Sequence, residues 1–318
     1  MKFPPGEVMR TIRSAILVFA ALGWHAPAQD PADNTPIKVD VDVVNILCTV
    51  YDQRGALVTD LKQEDFMVFE NGKPQQIRYF ARETNLPLTL ALLLDVSGSV
   101  SRFVELEKNT AARFLEAVLR PDDQALLMGF SSTIILWQDL TPSGPRLNAA
   151  LQRLRSIPFK GLPAEGQPVP LTLLYDAVQA AANEKLKNVA GRKAMVIVSD
   201  GLDNGSRIKQ DAAIAAVQAT NTVVYSICYE SGQGGLFGCA YLKNLSEPTG
   251  GRMFQVGKKL SLKEIFQIIQ DEMRSQYALG FVPSNRAHDG KFRRLEVRAA
   301  PKGLKVQTRR GYYAAGNG

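Results

Sequence analysis

Five oxygen-bearing side chains, none of them a histidine or cysteine, stand where one sheet would deliver them to one place. Asp95-Val96-Ser97-Gly98-Ser99 follows the apolar run Leu88 to Leu94. Alternate residues of an extended turn share a side, so the Asp95 carboxylate and the Ser97 and Ser99 hydroxyls converge, and Gly98 permits the tight bend. A second apolar run, Ala194 to Val198, ends in Ser199-Asp200-Gly201, and Thr172 precedes Leu173-Leu174-Tyr175-Asp176-Ala177, where a helix opens. Ligands of open α/β sheets bind beyond the carboxyl ends of the strands, which puts Asp95, Asp200 and three hydroxyls on one rim. Hard oxygen donors of this kind suit Mg²⁺ or Mn²⁺ and not a soft metal.

Counting removes most other chemistry. The 318 residues hold two histidines, His25 and His288, and three cysteines, Cys48, Cys228 and Cys239. Histidine triads, His-ligated zinc, thiolate zinc and iron–sulfur clusters are all short of ligands. Ser206-Arg207-Ile208-Lys209 has the Ser-x-x-Lys spacing of penicillin-binding enzymes without a Lys-Thr-Gly, and reads as a capping serine and an exposed lysine. The glycine-rich Gly232 to Gly238 carries Phe237 where a nucleotide loop needs its third glycine, and reads as a flexible loop. An aspartyl phosphoryl-transfer site at Asp95 would call for a second carboxylate where Ser97 stands.

The N-terminus predicts export. Lys2, Arg10 and Arg13 precede an apolar stretch from Ala15 to Trp24 and a small-x-small Ala26-Pro27-Ala28, the pattern of a signal peptide over residues 1–28. The stretch is too short to span a bilayer comfortably, so the expected location is extracytoplasmic, with no membrane span after cleavage. Cleavage takes three basic residues and one acidic residue from totals of 38 and 31, leaving a scattered positive excess with no basic run fit for nucleic acid. An oxidising compartment permits a Cys228–Cys239 disulfide across one loop, while Cys48, inside an apolar strand pattern, reads as a buried free thiol.

The elements that must position the rim follow from periodicity. A polar linker (residues 29–36) leads into a β segment over 37–84, with alternating Val39, Val41, Val43, Ile46 and Val50, and with Asn71-Gly72 turning Phe66–Phe69 back toward Ile77, Tyr79 and Phe80 as a hairpin. Residues 85–275 alternate strand and helix, as a doubly wound, mostly parallel Rossmann-like sheet does, with Ile134 to Trp137 as an antiparallel edge and a last helix over Leu262 to Arg274. From 276 to 314 strand character returns, and Leu295–Arg298 is expected to pair with Leu304–Gln307 across Lys302-Gly303. Each flank is too small to hide a hydrophobic face. The expected fold is therefore α/β: a parallel sheet inserted into one small antiparallel β domain made from both flanks.

Asp95-x-Ser97-x-Ser99, Thr172 in Thr-x-Leu-Tyr-Asp-Ala and Asp200 in Ser-Asp-Gly resemble the metal-ion-dependent adhesion site (MIDAS) of von Willebrand factor type A (vWA) domains, over about residues 86–275. Asp65-Phe66, Phe69-Glu70-Asn71-Gly72 and Arg310-Gly311-Tyr312-Tyr313 resemble the bacterial exported von Willebrand factor A-related proteins. The resemblance implies that Ser97, Ser99 and Thr172 give hydroxyl oxygens to the ion while Asp95 and Asp200 act directly or through water. It further implies that a protein partner offers an Asp or Glu to the open position. The sequence departs from the pattern before Thr172, where Val169-Pro170-Leu171 replaces the usual paired glycines. The expectation is an exported, non-enzymatic adhesion module, with partner contacts in loops such as Pro158 to Leu171. A scaffold with a purely structural ion is the alternative, and a metal-dependent hydrolase follows it, lacking a general base apart from the ligands themselves.

Overall fold

The structure is a computed structural model that describes residues 43–82, 86–155, 171–229, 235–314 and 316. The signal segment, the linker, the first residues of the N-terminal β segment and the Pro158–Pro170 part of the rim loop lie outside the described residues. In chain order the elements are β1 (Val44–Tyr51), β2 (Phe66–Glu70), β3 (Lys73–Gln75), β4 (Ile77–Arg82) and β5 (Leu88–Asp95), then α1 (Val104–Val118), β6 (Gln124–Phe130), β7 (Ile134–Thr141), α2 (Gly144–Arg153) and α3 (Leu174–Ala180). A π turn (Ala181–Leu186) prolongs α3. There follow β8 (Arg192–Ser199), α4 (Gln210–Ala219), β9 (Thr222–Cys228), α5 (Gly235–Ser246), β10 (Met253–Gln255), α6 (Leu262–Arg274), β11 (Tyr277–Phe281), β12 (Phe292–Ala299), β13 (Lys305–Thr308) and β14 (Gly311–Tyr313).

Strand β5 explains the central layer. All eight of its residues are buried, because alternate side chains enter different cores. Leu88, Leu90, Leu92 and Leu94 pack with α1, α2 and α6, whereas Ala91 and Leu93 pack with α3, α4 and α5. The six strands run in the order β10-β9-β8-β5-β6-β7, parallel except for the antiparallel edge β7. Local chemistry sets the helix ends. Ser261 Oγ accepts from Glu264 N while Ser261 N donates to the Glu264 carboxylate, a capping box that starts α6 where the periodicity predicts it.

The flanks build two antiparallel sheets, β13-β1-β11-β4 and β14-β12-β2-β3, and each draws strands from both ends of the chain. Val44 pairs with Phe281 and Val68 with Val297. Their inner faces share one core, including Ile46, Val50, Val68, Tyr277, Leu279, Phe281 and Leu295, in which Cys48 is a buried free thiol. The Tyr277 hydroxyl accepts from Leu61 N (3.0 Å) and donates to the Val58 carbonyl (2.9 Å), tying a loop to the sandwich. The chain leaves this sandwich along β4 and returns along β11, and these two strands are neighbours with Arg82 opposite Tyr277. An insertion whose two ends emerge side by side leaves the host sheet unbroken.

Three expectations about local structure change. Asn71 and Gly72 do take the positive φ angles (48° and 80°) of a tight turn, but the returning strand is β3, and Ile77–Phe80 cross to the other sheet as part of β4. Leu295–Arg298 and Leu304–Gln307 do not pair with each other: β12 lies between β2 and β14, and β13 is the edge beside β1. Alternation fixes which face of a strand is buried and is blind to which neighbour it joins. Finally, Gly235–Gly238, read as loop, opens helix α5.

Phe281 is fully buried where the two sheets meet. Phe281→Ala is expected to lower the unfolding free energy by about 3 to 5 kcal/mol, read from the urea midpoint, since the cavity adds to the lost transfer energy.

Candidate metal centre

Asp95 is the last residue of the central strand and is fully buried. Its carboxylate is held from both sides: Ser97 N donates to Oδ1 (2.9 Å) and Ser199 Oγ to Oδ2 (2.6 Å). Ser97 Oγ and the exposed Ser99 lie 3.0 Å apart at their hydroxyls, so these three donors form one connected group. Asp200, also buried, follows the next strand β8 and accepts from Leu202 N at 3.2 Å. Burial pushes the Asp95 carboxyl up to about 6; the bonds from Ser199 and Ser97 oppose this, and the nearby negative charge of Asp200 adds to it.

Thr172 reaches the rim through backbone bonds. Leu173 N donates to the carbonyl of Ser131, just past β6, and Thr172 N donates to Asn204 Oδ1 at 2.6 Å. Among the described residues its hydroxyl has no hydrogen-bond partner. The loop after Asp200 is in turn locked to α3: Asp203 Oδ1 accepts from Leu174 N (2.9 Å), Tyr175 N (3.4 Å) and Ser206 Oγ (2.6 Å), and Asp176 accepts from Arg207 N and Ile208 N. Asp203 thus caps a helix from 29 residues away. Ser206 is a positioning residue here, bonded also to Asp176 N.

Beneath Asp200 the chain is clamped by α5. A Cβ on Gly201 would meet the Gly238 carbonyl at 2.1 Å, and one on Gly238 would meet the Asp200 carbonyl at 1.9 Å. Only glycines allow this backbone approach. The disulfide between Cys228, the end of β9, and Cys239 in α5 fastens the same corner.

Further groups border the site without having been singled out in the sequence. Ser199 orients Asp95, and the buried Ser131 hydroxyl has no partner among the described residues. Glu107 of α1 is buried, and its carboxyl is driven well above the usual range, first by burial and then by the charge of Asp95. Both influences disfavour the charged form of Glu107. Among the described residues no group of three or more His, Cys, Asp or Glu is placed to hold a metal ion. A set of two carboxylates and three hydroxyls is of another kind, and its hard oxygens fit Mg²⁺ or Mn²⁺.

No protein-family model matches the sequence, and no curated protein matches it. Solved structures do. Proximal thread matrix protein 1 from the mussel byssus, in a form with a zinc-occupied MIDAS motif, aligns at a TM-score of 0.50 and 18% identity over 63% of this chain and 48% of its own. What the two share is a fold, in this chain a doubly wound, mostly parallel sheet between two helical layers. The vWF domain of a type V pilus tip protein from Porphyromonas gingivalis aligns at a TM-score of 0.45 and 13% identity, over 59% of this chain and 95% of that one. BatB, a conserved hypothetical protein from Bacteroides thetaiotaomicron, aligns at a TM-score of 0.45 and 14% identity, over 58% and 97%. At such identities the likeness is one of fold, and this chain spans about half the length of the byssus protein. Within this fold, Asp95 is the last residue of β5, Asp200 directly follows the neighbouring parallel strand β8, and Thr172 lies just before α3.

Asp203→Ala removes the acceptor shared by Leu174 N, Tyr175 N and Ser206. The expected loss is about 1 to 2 kcal/mol of stability in urea unfolding, with Asp203→Asn, which keeps one oxygen acceptor, falling between.

Proposed function

We propose that this protein is an exported, non-enzymatic adhesion module that captures an acidic residue of a partner protein through a divalent cation. Asp95, Ser97, Ser99, Thr172 and Asp200 would hold Mg²⁺ or Mn²⁺, which supplies an electrophilic position for a partner's carboxylate. The observation that carries this reading is the burial of Asp95 with only hydroxyl and amide donors on it and a second carboxylate beside it. Burial and the charge of Asp200 both disfavour the ionised Asp95 carboxyl, and a cation would offset that cost. The zinc at the MIDAS motif of the byssus protein supports the same use of the fold.

Recognition fits the inventory better than turnover. Glu107 of α1, an acid beside the site, is buried, and burial and the charge of Asp95 both disfavour its charged form, which works against a general-base role. A purely structural ion is disfavoured because the hydroxyl and amide bonds already tie the Asp95, Ser199 and Asp203 loops together. A charge-assisted contact to the ion contributes on the order of 1.5 to 3 kcal/mol, so the rim loops must supply the rest of the affinity. Export is supported by the N-terminal pattern and by the Cys228–Cys239 bond, which belongs in an oxidising compartment. No helix among the described residues is long and apolar enough to cross a membrane.

Addition of Mg²⁺ or Mn²⁺ at about a hundred times its Kd is expected to stabilise the protein by about 2.7 kcal/mol in thermal or urea unfolding. Asp95→Ala and Asp200→Ala should each erase that increment. Capture of partners from the native exported proteome should be lost in chelator; recovery of the same proteins with and without metal would sink the metal-bridge reading.

A further inference from the structure

The candidate metal centre is bordered by apolar side chains that the protein itself does not cover. Phe237 is 77% exposed, the most exposed large hydrophobic residue among those described. It stands in the first turn of α5, next to Gly238, whose backbone packs directly on Asp200 and Gly201. Tyr241 follows about one helical turn later, 45% exposed and on the same side of α5. Burial, then the charges of Asp203 and Tyr241, push the Tyr175 phenol up to about 12, which places Tyr241 near the loop after Asp200. Leu171, 42% exposed, immediately precedes Thr172, and its side chain lies against Gly205, where an added Cβ would meet it at 2.6 Å. The loop from Asp200 to Ser206 thus has an exposed apolar group near its start, its middle and its end.

The same stretches offer no positive charge of their own. Residues 171–176, 199–206 and 235–242 contain no Lys or Arg, and they include Asp176, Asp200 and Asp203. A run of acidic residues in a partner would meet one cation and then further carboxylates, whereas a single acid flanked by apolar side chains would meet the cation and then apolar surface. Hydrophobic residues scattered singly over a surface are ordinary. Three along one loop that also carries a candidate metal ligand mark a contact surface, and exposed aromatic residues are where binding energy concentrates.

We propose that the partner is a protein segment that presents its acidic residue beside a bulky apolar one, and that Phe237 receives the apolar side chain. This rests on the metal-bridge reading above and goes beyond it by naming the chemistry of the partner segment and the residue that selects it. The ion takes the carboxylate. Burying the neighbouring side chain against Phe237, with Tyr241 and Leu171 extending the apolar surface along the loop, adds the affinity that one charge-assisted contact lacks.

The test is panning of a random heptapeptide display library on the immobilised full chain in Mg²⁺, with elution by chelator. Eluted sequences are expected to be enriched in an Asp or Glu with Leu, Ile, Phe, Tyr or Trp close beside it, relative to the unselected library. Phe237→Ser, at an exposed position, should keep the parent's melting temperature and its stabilisation by Mg²⁺, while weakening a selected peptide, titrated free in solution, by roughly tenfold or more. Eluted acidic peptides without apolar enrichment, or a selected peptide that binds Phe237→Ser as tightly as the parent, overturn this proposal alone. Recovery no greater than from immobilised Asp95→Ala, or peptides that chelator does not release, overturns the metal-bridge reading and this proposal with it.

Discussion

Strand β5 must be apolar on both faces, and most of the architecture follows from that requirement. A parallel strand sandwiched between two helical layers has no solvent side, so Leu88 to Leu94 carry no polar residue except Thr89. Charge first becomes affordable where the strand emerges, at Asp95. Even there the carboxylate remains buried, and its two oxygens are met by Ser97 N and Ser199 Oγ. The strand that builds the core thus delivers a carboxylate to a place from which water is largely excluded. The same constraint makes the flanking sandwich a host, because β4 and β11 run side by side and the inserted sheet begins and ends on adjacent strands.

The rim is preorganised by bonds between segments distant in sequence. Asp203 and Asn204 reach back about thirty residues to the backbone of Leu174 and Thr172. Gly201 and Gly238 bring α5 against the Asp200 backbone, and the disulfide closes that corner. Loops fixed in this way lose little conformational entropy on binding, and binding free energy is not spent on ordering them. The remaining cost is electrostatic: burial and the proximity of Asp200 both disfavour the charged form of Asp95. The scaffold meets the entropy of assembling these groups and leaves the charge of Asp95 disfavoured by its surroundings.

What the sequence discloses follows the range of the interaction. The apolar run of β5, the antiparallel edge β7 and the span of α6 from Leu262 rest on local periodicity and on a short connection, and these were legible. The alternation of Asp95, Ser97 and Ser99 is local too, and they form one bonded group. The partners of β12 and β13 were not legible, because Leu295 and Val297 look the same whether β13 or β2 lies alongside. Helix α5 was hidden for an instructive reason. Gly238 weakens helix propensity, yet no larger residue fits against the Asp200 carbonyl, so packing overrides propensity there. Asp203, Asn204 and Ser206 look like ordinary turn residues, since their partners lie far away in the chain.

The two rims carry opposite charge, and β8 joins them: Arg192 and Lys193 stand at one end, Ser199 at the other, with Asp200 directly after. Eight residues of strand span roughly 25 Å, whereas the screening length at physiological salt is about 8 Å. Screening is weaker through protein than through water, but neither group faces the other along the strand. Between them lie Ala194 to Val198, all buried and apolar, with no titratable group to relay a change of charge. The basic residues of the lower rim and the carboxylates of the upper one therefore act independently as far as electrostatics goes. Coupling between them would have to travel through displacement of β8 itself, which is hydrogen-bonded along its length to β5 and β9. A strand paired on both sides and packed on both faces resists such displacement, so the sheet insulates one rim from the other while holding both in place.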